Sequence, residues 1–247
     1  MKRSIFFCAF FPFLLLQLNG AFAQSNIPAD QEIIEAIFPW CISLDLEQNF
    51  RVCTGEKYQV YLSGGPVQAS FLKDTSQGQL FAAAIAFGQG EDLEHYYWYN
   101  QVLLALILKR HSGKLELIQK KKLPNEGEYM HRVYSVKSRK VNGIPSILLE
   151  YRYSDSVSSP RGWHKICKIF TISRNNRAKE IWSFETEFIR AAAGSLPRVE
   201  KSVDFHFVDL DADGDEDIIT NGSVIRSNLW SKYSWDQGKL IKSQSNE

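Results

Sequence analysis

From Trp40 onward, short apolar runs alternate with turn residues, a pattern that predicts an all-β domain. Residues 27 to 38 follow a different period. Pro28-Ala29-Asp30 opens the segment, Glu32 and Glu35 lie in its early turns, Ile33, Ile34 and Ile37 fall on one apolar face, and Pro39 ends it. These positions predict one short N-terminal helix over Ile27–Phe38.

The strand-like runs resemble one another. Phe71 to Ala82 aligns without a gap on Phe207 to Ile218, matching the aromatic, the aliphatic, the glycine and the strand that follows. Val136 to Ile147 is a weaker third copy. The glycines at 78, 143 and 214 are 65 and then 71 residues apart. Each turn is followed by a strand, a polar turn and a return strand: Val102 to Ile118, Ile166 to Phe184, and Leu229 to Ile241. Such periodicity predicts a propeller-like ring or a stack of small β-meander sheets. An ordinary β-protein also shows strand–turn–strand units, so that alternative stays open. The chain holds only about three and a half units, and a closed propeller typically needs at least four blades. Residues 24–66 would complete a small ring, or the sheets stack openly, or chains associate.

The first 23 residues read as an export leader. Lys2 and Arg3 precede the apolar stretch Ile5–Leu18, and Ala21-Phe22-Ala23 supplies the small-residue cleavage pattern. About 14 mostly apolar residues is short for a bilayer span. No later segment is long and apolar enough to cross; Val102–Leu108 is followed at once by Lys109-Arg110. The expected organisation is a leader over 1–23, a helix and disulfide hairpin over 24–66, and a repeated β-meander domain over 67–247. The expected location is periplasmic or extracellular.

Cleavage leaves 27 basic against 28 acidic residues, a balance that implies no nucleic-acid partner. Lys120-Lys121-Lys122 reads as a solvated strand end. Of the cysteines left, Cys41 and Cys53 flank a hairpin. A bridge between them would close a loop of about a dozen residues and contribute roughly 3 kcal/mol in the chain-entropy model. Cys167, inside Ile166-Cys167-Lys168-Ile169-Phe170, reads as a buried structural thiol.

Explicit chemistry is concentrated in residues 209–217, Asp-Leu-Asp-Ala-Asp-Gly-Asp-Glu-Asp. Close carboxylates repel by several kcal/mol in total at an effective dielectric of about 20. A divalent cation turns that repulsion into attraction, and hard oxygens at alternate positions suit Ca²⁺. Without a metal the run is an exposed acidic turn. An EF-hand would need helices on both sides and a Glu where Thr220 stands; the flanks Val203–Val208 and Ile218-Ile219 read as strands. The run Phe207 to Ile219 resembles the FG-GAP/VCBS repeat, the calcium-binding element of integrin α-chain propellers and many bacterial surface proteins. The resemblance implies a loop joining two strands. It also implies side-chain oxygens from Asp209, Asp211, Asp213 and Asp217, and the backbone carbonyl of Asp215. The copies at Gly78 and Gly143 lack the carboxylates, so one Ca²⁺ site is expected, with a structural role.

No metal-protease, nucleophile-elbow or P-loop motif is present. The histidines at 95, 111, 131, 164 and 206 show no paired metal spacing. Asp204 with His206, and Glu185 with Glu187, each share a strand face on simple alternation, and both pairs read as solvated. Tyr96-Tyr97-Trp98-Tyr99, Trp163, Trp230 and Trp235 supply aromatics, some of which would meet solvent or a partner. These features together predict an exported calcium-binding module for a protein or glycan ligand. The alternatives are a secreted hydrolase, carbohydrate-active for instance, with structural calcium, or a structural part of an envelope assembly.

Overall fold

The computed structural model describes residues 27–47, 50–56, 59–63, 65–89, 101–123, 129–141, 143–154, 162–190, 192 and 197–202, together with the backbone of five short strands beyond. The expected leader, the aromatic run Tyr96–Tyr99 and Trp230 lie outside the described residues. The helix is α1 (Asp30–Ile37). The strands are β1 (Ser43–Glu47), β2 (Phe50–Thr54), β3 (Gln59–Ser63), β4 (Gln68–Thr75), β5 (Gly78–Gln89), β6 (Gln101–Arg110) and β7 (Leu115–Lys122). They continue as β8 (Tyr129–Val141), β9 (Ile144–Ser154), β10 (Gly162–Ile172), β11 (Ala178–Arg190) and β12 (Val199–Ser202). The short strands are β13 (Phe205–Val208), β14 (Asp217–Thr220), β15 (Ser223–Ile225), β16 (Tyr233–Asp236) and β17 (Lys239–Lys242).

Among the described residues the chain adopts the predicted all-β class with one short helix. Of the expected arrangements, the described residues form openly stacked antiparallel sheets. A first antiparallel sheet runs β1-β2-β3-β5-β6-β7, with β4 beside β5 on the edge it shares with β3. A second runs β12-β11-β10-β9-β8. Every predicted strand–turn–strand unit is a β-hairpin, but the hairpins differ in their connections. Thr75 pairs with Gly78 and Val141 with Ile144, each around a tight turn, whereas Val208 pairs with Asp217 around residues 209–216. The aligned glycines therefore occupy different places: Gly78 begins a strand, Gly143 is inside a turn, and Gly214 falls within the long loop.

The strands β5 and β6 carry the architecture. Leu80, Ala82, Ala84, Val102, Leu104 and Leu106 enter a core shared with the second sheet, where Ile147, Leu149, Tyr151 and Phe170 meet them. Their alternate neighbours, among them Ala83, Ile85, Phe87, Leu103 and Ile107, enter a second core under α1. Alternate side chains point to opposite faces, so burial on both faces requires the near-continuous apolar runs seen here. Alanine stands opposite leucine across the pair (Ala82 with Leu106, Ala84 with Leu104), which matches small to large within one layer.

Helix α1 closes the outer core with the predicted face, since Ile33, Ile34 and Ile37 are fully buried. Each contributes on the order of 1.5–3 kcal/mol. The Glu32 carboxylate accepts the Ala29 N–H at 2.9 Å and caps the first turn. Asp30 accepts from Arg51 Nη1 at 3.2 Å and from the Val67 N–H at 3.0 Å, tying the helix to the first sheet. The Cys41–Cys53 disulfide forms as predicted, with the Cα atoms 5.4 Å apart. It joins the segment after α1 to β2.

The lysine run does end a strand, but it is not simply solvated. Lys120 Nζ donates to the Ile37 carbonyl at 3.1 Å, where the helix dipole favours a cation. Its ammonium also lies 4.2 Å from the Phe38 ring centroid, with Lys121 over Phe170 and Lys122 over Phe87. Partial burial, reinforced by Lys122, lowers the Lys120 pKa.

Gly78 opens β5 at φ +140° against Arg110. A Cβ there would stand 2.0 Å from the Lys109 carbonyl oxygen. Gly78→Ala is expected to cost at least about 2 kcal/mol, by backbone strain and displacement of β6. Urea denaturation measures this; an unchanged midpoint would refute the close approach.

Candidate functional site

The acidic run is held by a hairpin. Phe205, His206, Phe207 and Val208 of β13 pair with Thr220, Ile219, Ile218 and Asp217 of β14, and β14 pairs onward with β15. Of the expected calcium ligands, Asp217 is the first residue of β14. Asp209, Asp211, Asp213 and Asp215 lie outside the described residues. The flanks are strands, as the resemblance implied and as an EF-hand would not allow. Paired strands lie about 5 Å apart, so residues 209–216 must leave and return through a narrow base. The carboxylates of the run offer oxygen donors alone, a donor set that would fit a hard cation. Among the described residues no three His, Cys, Asp or Glu side chains gather as metal ligands would.

A second group of charges lies on the face of the second sheet turned away from the first. Glu150, whose side chain is 14% exposed, accepts from the Ser135 hydroxyl at 2.6 Å and pairs with Lys165 at 3.3 Å and Lys137 at 3.4 Å. Burial alone would raise its carboxyl. The Ser135 hydroxyl and the two ammonium groups outweigh burial and hold the pKa below the usual 4.5. Cys167 stands directly opposite Glu150 in register and is fully buried with its thiol free, as predicted. Burial first, and then Glu150, push that thiol well above its usual range, which marks it as inert rather than nucleophilic.

The inner face carries a polar group that simple alternation misassigns. Thr186 bulges out of β11, so Glu185 faces Ile166 while Glu187 faces Lys165. The bulge turns the two glutamates to opposite faces instead of one. Glu185 is thereby brought to His164, with Oε1 2.5 Å from Nδ1; the imidazole is 19% exposed and the carboxylate 45%. His164 stacks on Tyr153 (ring centroids 4.8 Å apart, 12° between planes) and meets Phe188 at 4.7 Å. Four residues further along β10, beyond Ile166, Lys168 is 2% exposed and pairs with Glu180 at 3.2 Å. Period-two alternation through Ile166, Lys168 and Phe170 carried a signal for the buried lysine. Nothing in the sequence pointed to His164 with Glu185, because their meeting depends on strand pairing and the bulge. The side chains of Asp204, His206 and Trp235 lie outside the described residues, and Trp163 stacks beneath Arg152 at 4.1 Å.

Compared with known proteins, the chain matches no family model, and no curated protein or solved structure matches it significantly.

The depressed Glu150 pKa makes a pH-dependent contribution to stability. That contribution is full above pH 4.5 and is lost as pH falls through the lower folded value. Glu150→Gln is expected to cost about 1–3 kcal/mol at pH 7, with the deficit shrinking in acid. Urea denaturation of both proteins at neutral and acidic pH tests this; a deficit of equal size at both would contradict the assignment.

Proposed function

We propose that the chain is an exported, calcium-binding β-protein that works as a binding or interaction module. The observation that carries this reading is the Val208–Asp217 pairing, which makes residues 209–216 the connection between two adjacent strands. The residues that would hold Ca²⁺ are Asp209, Asp211, Asp213 and Asp217 through side chains and Asp215 through its carbonyl. The bound ion would neutralise the loop and hold β13 against β14; it carries no chemistry in this reading. The leader pattern supports export, and the Cys41–Cys53 bridge fits an oxidising compartment. Among the described residues, no helix is long and apolar enough to cross a membrane.

A second reading, a secreted hydrolase with structural calcium, draws on one feature. A carboxylate orients the imidazole of His164, as is common where histidine serves as a general base. Glu185→Gln, far in sequence from the acidic loop, separates the readings. Loss of hydrolysis on a glycoside and ester panel would favour the enzyme, whereas no activity in the parent protein supports the module.

Removing calcium is expected to lower the melting temperature, and restoring Ca²⁺ to recover it, because a ligand that binds only the folded state stabilises it. Asp211→Asn with Asp213→Asn should abolish the difference. Identical calorimetric melting of the parent protein in EDTA and in Ca²⁺ would sink the structural-calcium reading.

A further inference from the structure

We infer that the patch around Arg132, Tyr134 and Lys165 on the outer face of the second sheet docks an acidic polysaccharide, a ligand class that rests on the binding-module reading above. Arg132 of β8 stands opposite Arg152 of β9, which in turn stands opposite Lys165 of β10. Neighbouring strands are about 4.8 Å apart, so three cations form a row across the sheet. Like charges directly opposite one another destabilise a sheet. The nearby acids do little to offset this row. Glu150 is already shared by Lys165, Lys137 and Ser135, and Glu187 faces Lys165 at the end far from Arg132. Among the described residues neither Arg132 nor Arg152 bonds a carboxylate. Their contacts are to aromatic rings, and Arg152 Nε is buried without a hydrogen-bond partner.

Tyr134 stands over this row. The register shift between Val133 and Ser135 places it at a bulge, and it is 39% exposed. Arg132, Arg152 and Lys165 each lie 5.8 Å from its ring centroid. Trp163, 4.1 Å from the Arg152 guanidinium on its other contact, holds that group in place. Planar guanidinium groups pair bidentately with carboxylate and sulfate oxygens. An exposed tyrosine ring offers an apolar surface to the C–H face of a sugar. Repeated anions on a pyranose chain therefore match both the row and the ring. An acidic polypeptide has no such sugar face, and a nucleic acid would need a wider basic footprint than this patch on a nearly neutral chain.

The test is calorimetric titration of the leader-free, disulfide-bonded, Ca²⁺-supplemented protein with polygalacturonate and dextran sulfate. Neutral dextran, polyglutamate and a DNA oligonucleotide serve as comparisons. Binding is expected for the acidic polysaccharides, absent for dextran, and weakened about tenfold or more by Arg132→Gln with Arg152→Gln. The double variant should melt no lower than the parent, because like-charge repulsion is relieved. Should it fail to fold, Arg132→Gln alone, at an exposed position, gives the same readout with a smaller loss. Failure of the parent to bind either acidic polysaccharide, unchanged affinity in the variants, or tighter binding of polyglutamate or DNA would overturn the proposal. A missing Ca²⁺-dependent melting shift would count against the calcium reading alone, so the two failures are distinguishable.

Discussion

The pairing of β5 with β6 sets an apolar ribbon between two cores, and both other layers of the protein depend on it. On one side the ribbon is covered by α1 and on the other by the second sheet. Removing apolar surface from water is the main favourable term in folding, and here the same two strands supply it twice. The alanines on β5 let the layers close on large partners such as Leu104 and Leu106. The Cys41–Cys53 bridge and the Asp30–Arg51 pair anchor the helix side of this arrangement.

Several polar groups lie on the second sheet. Lys168 and Glu180 sit at the inner face, with His164 and Glu185 on the same face four residues away along β10. Outside, Glu150 gathers two lysines, and the adjacent arginines are held against aromatic rings rather than against acids. A sheet that tolerates a row of like charges leaves one surface electrostatically unsatisfied. The opposite imbalance lies in the acidic run between β13 and β14.

Much of the fold was legible along the chain. The helix and its buried isoleucines followed from their spacing, and the hairpins around Ser112-Gly113, Asn142-Gly143 and Asn175-Asn176 from turn chemistry. The inert Cys167 and the disulfide followed from apolar context and sequence separation. The polar groups were less legible. Alternation placed Glu185 and Glu187 on one face, and one bulged residue undid that. The lysines at 120–122 read as solvated because the rings beneath them, Phe38 just after α1, Phe87 of β5 and Phe170 of β10, are distant in sequence.

The sequence by itself determined element type, hairpin positions and the cysteine bridge, because each depends on residues near one another in the chain. The tertiary structure alone decided that the meanders stack as two sheets, that β5 and β6 are covered twice, and that His164 meets Glu185. It likewise aligned Arg132, Arg152 and Lys165. These outcomes depend on strand register and on which face meets which layer. Register is a property of pairs of segments, and a single bulge shifts it without leaving a mark in composition or periodicity.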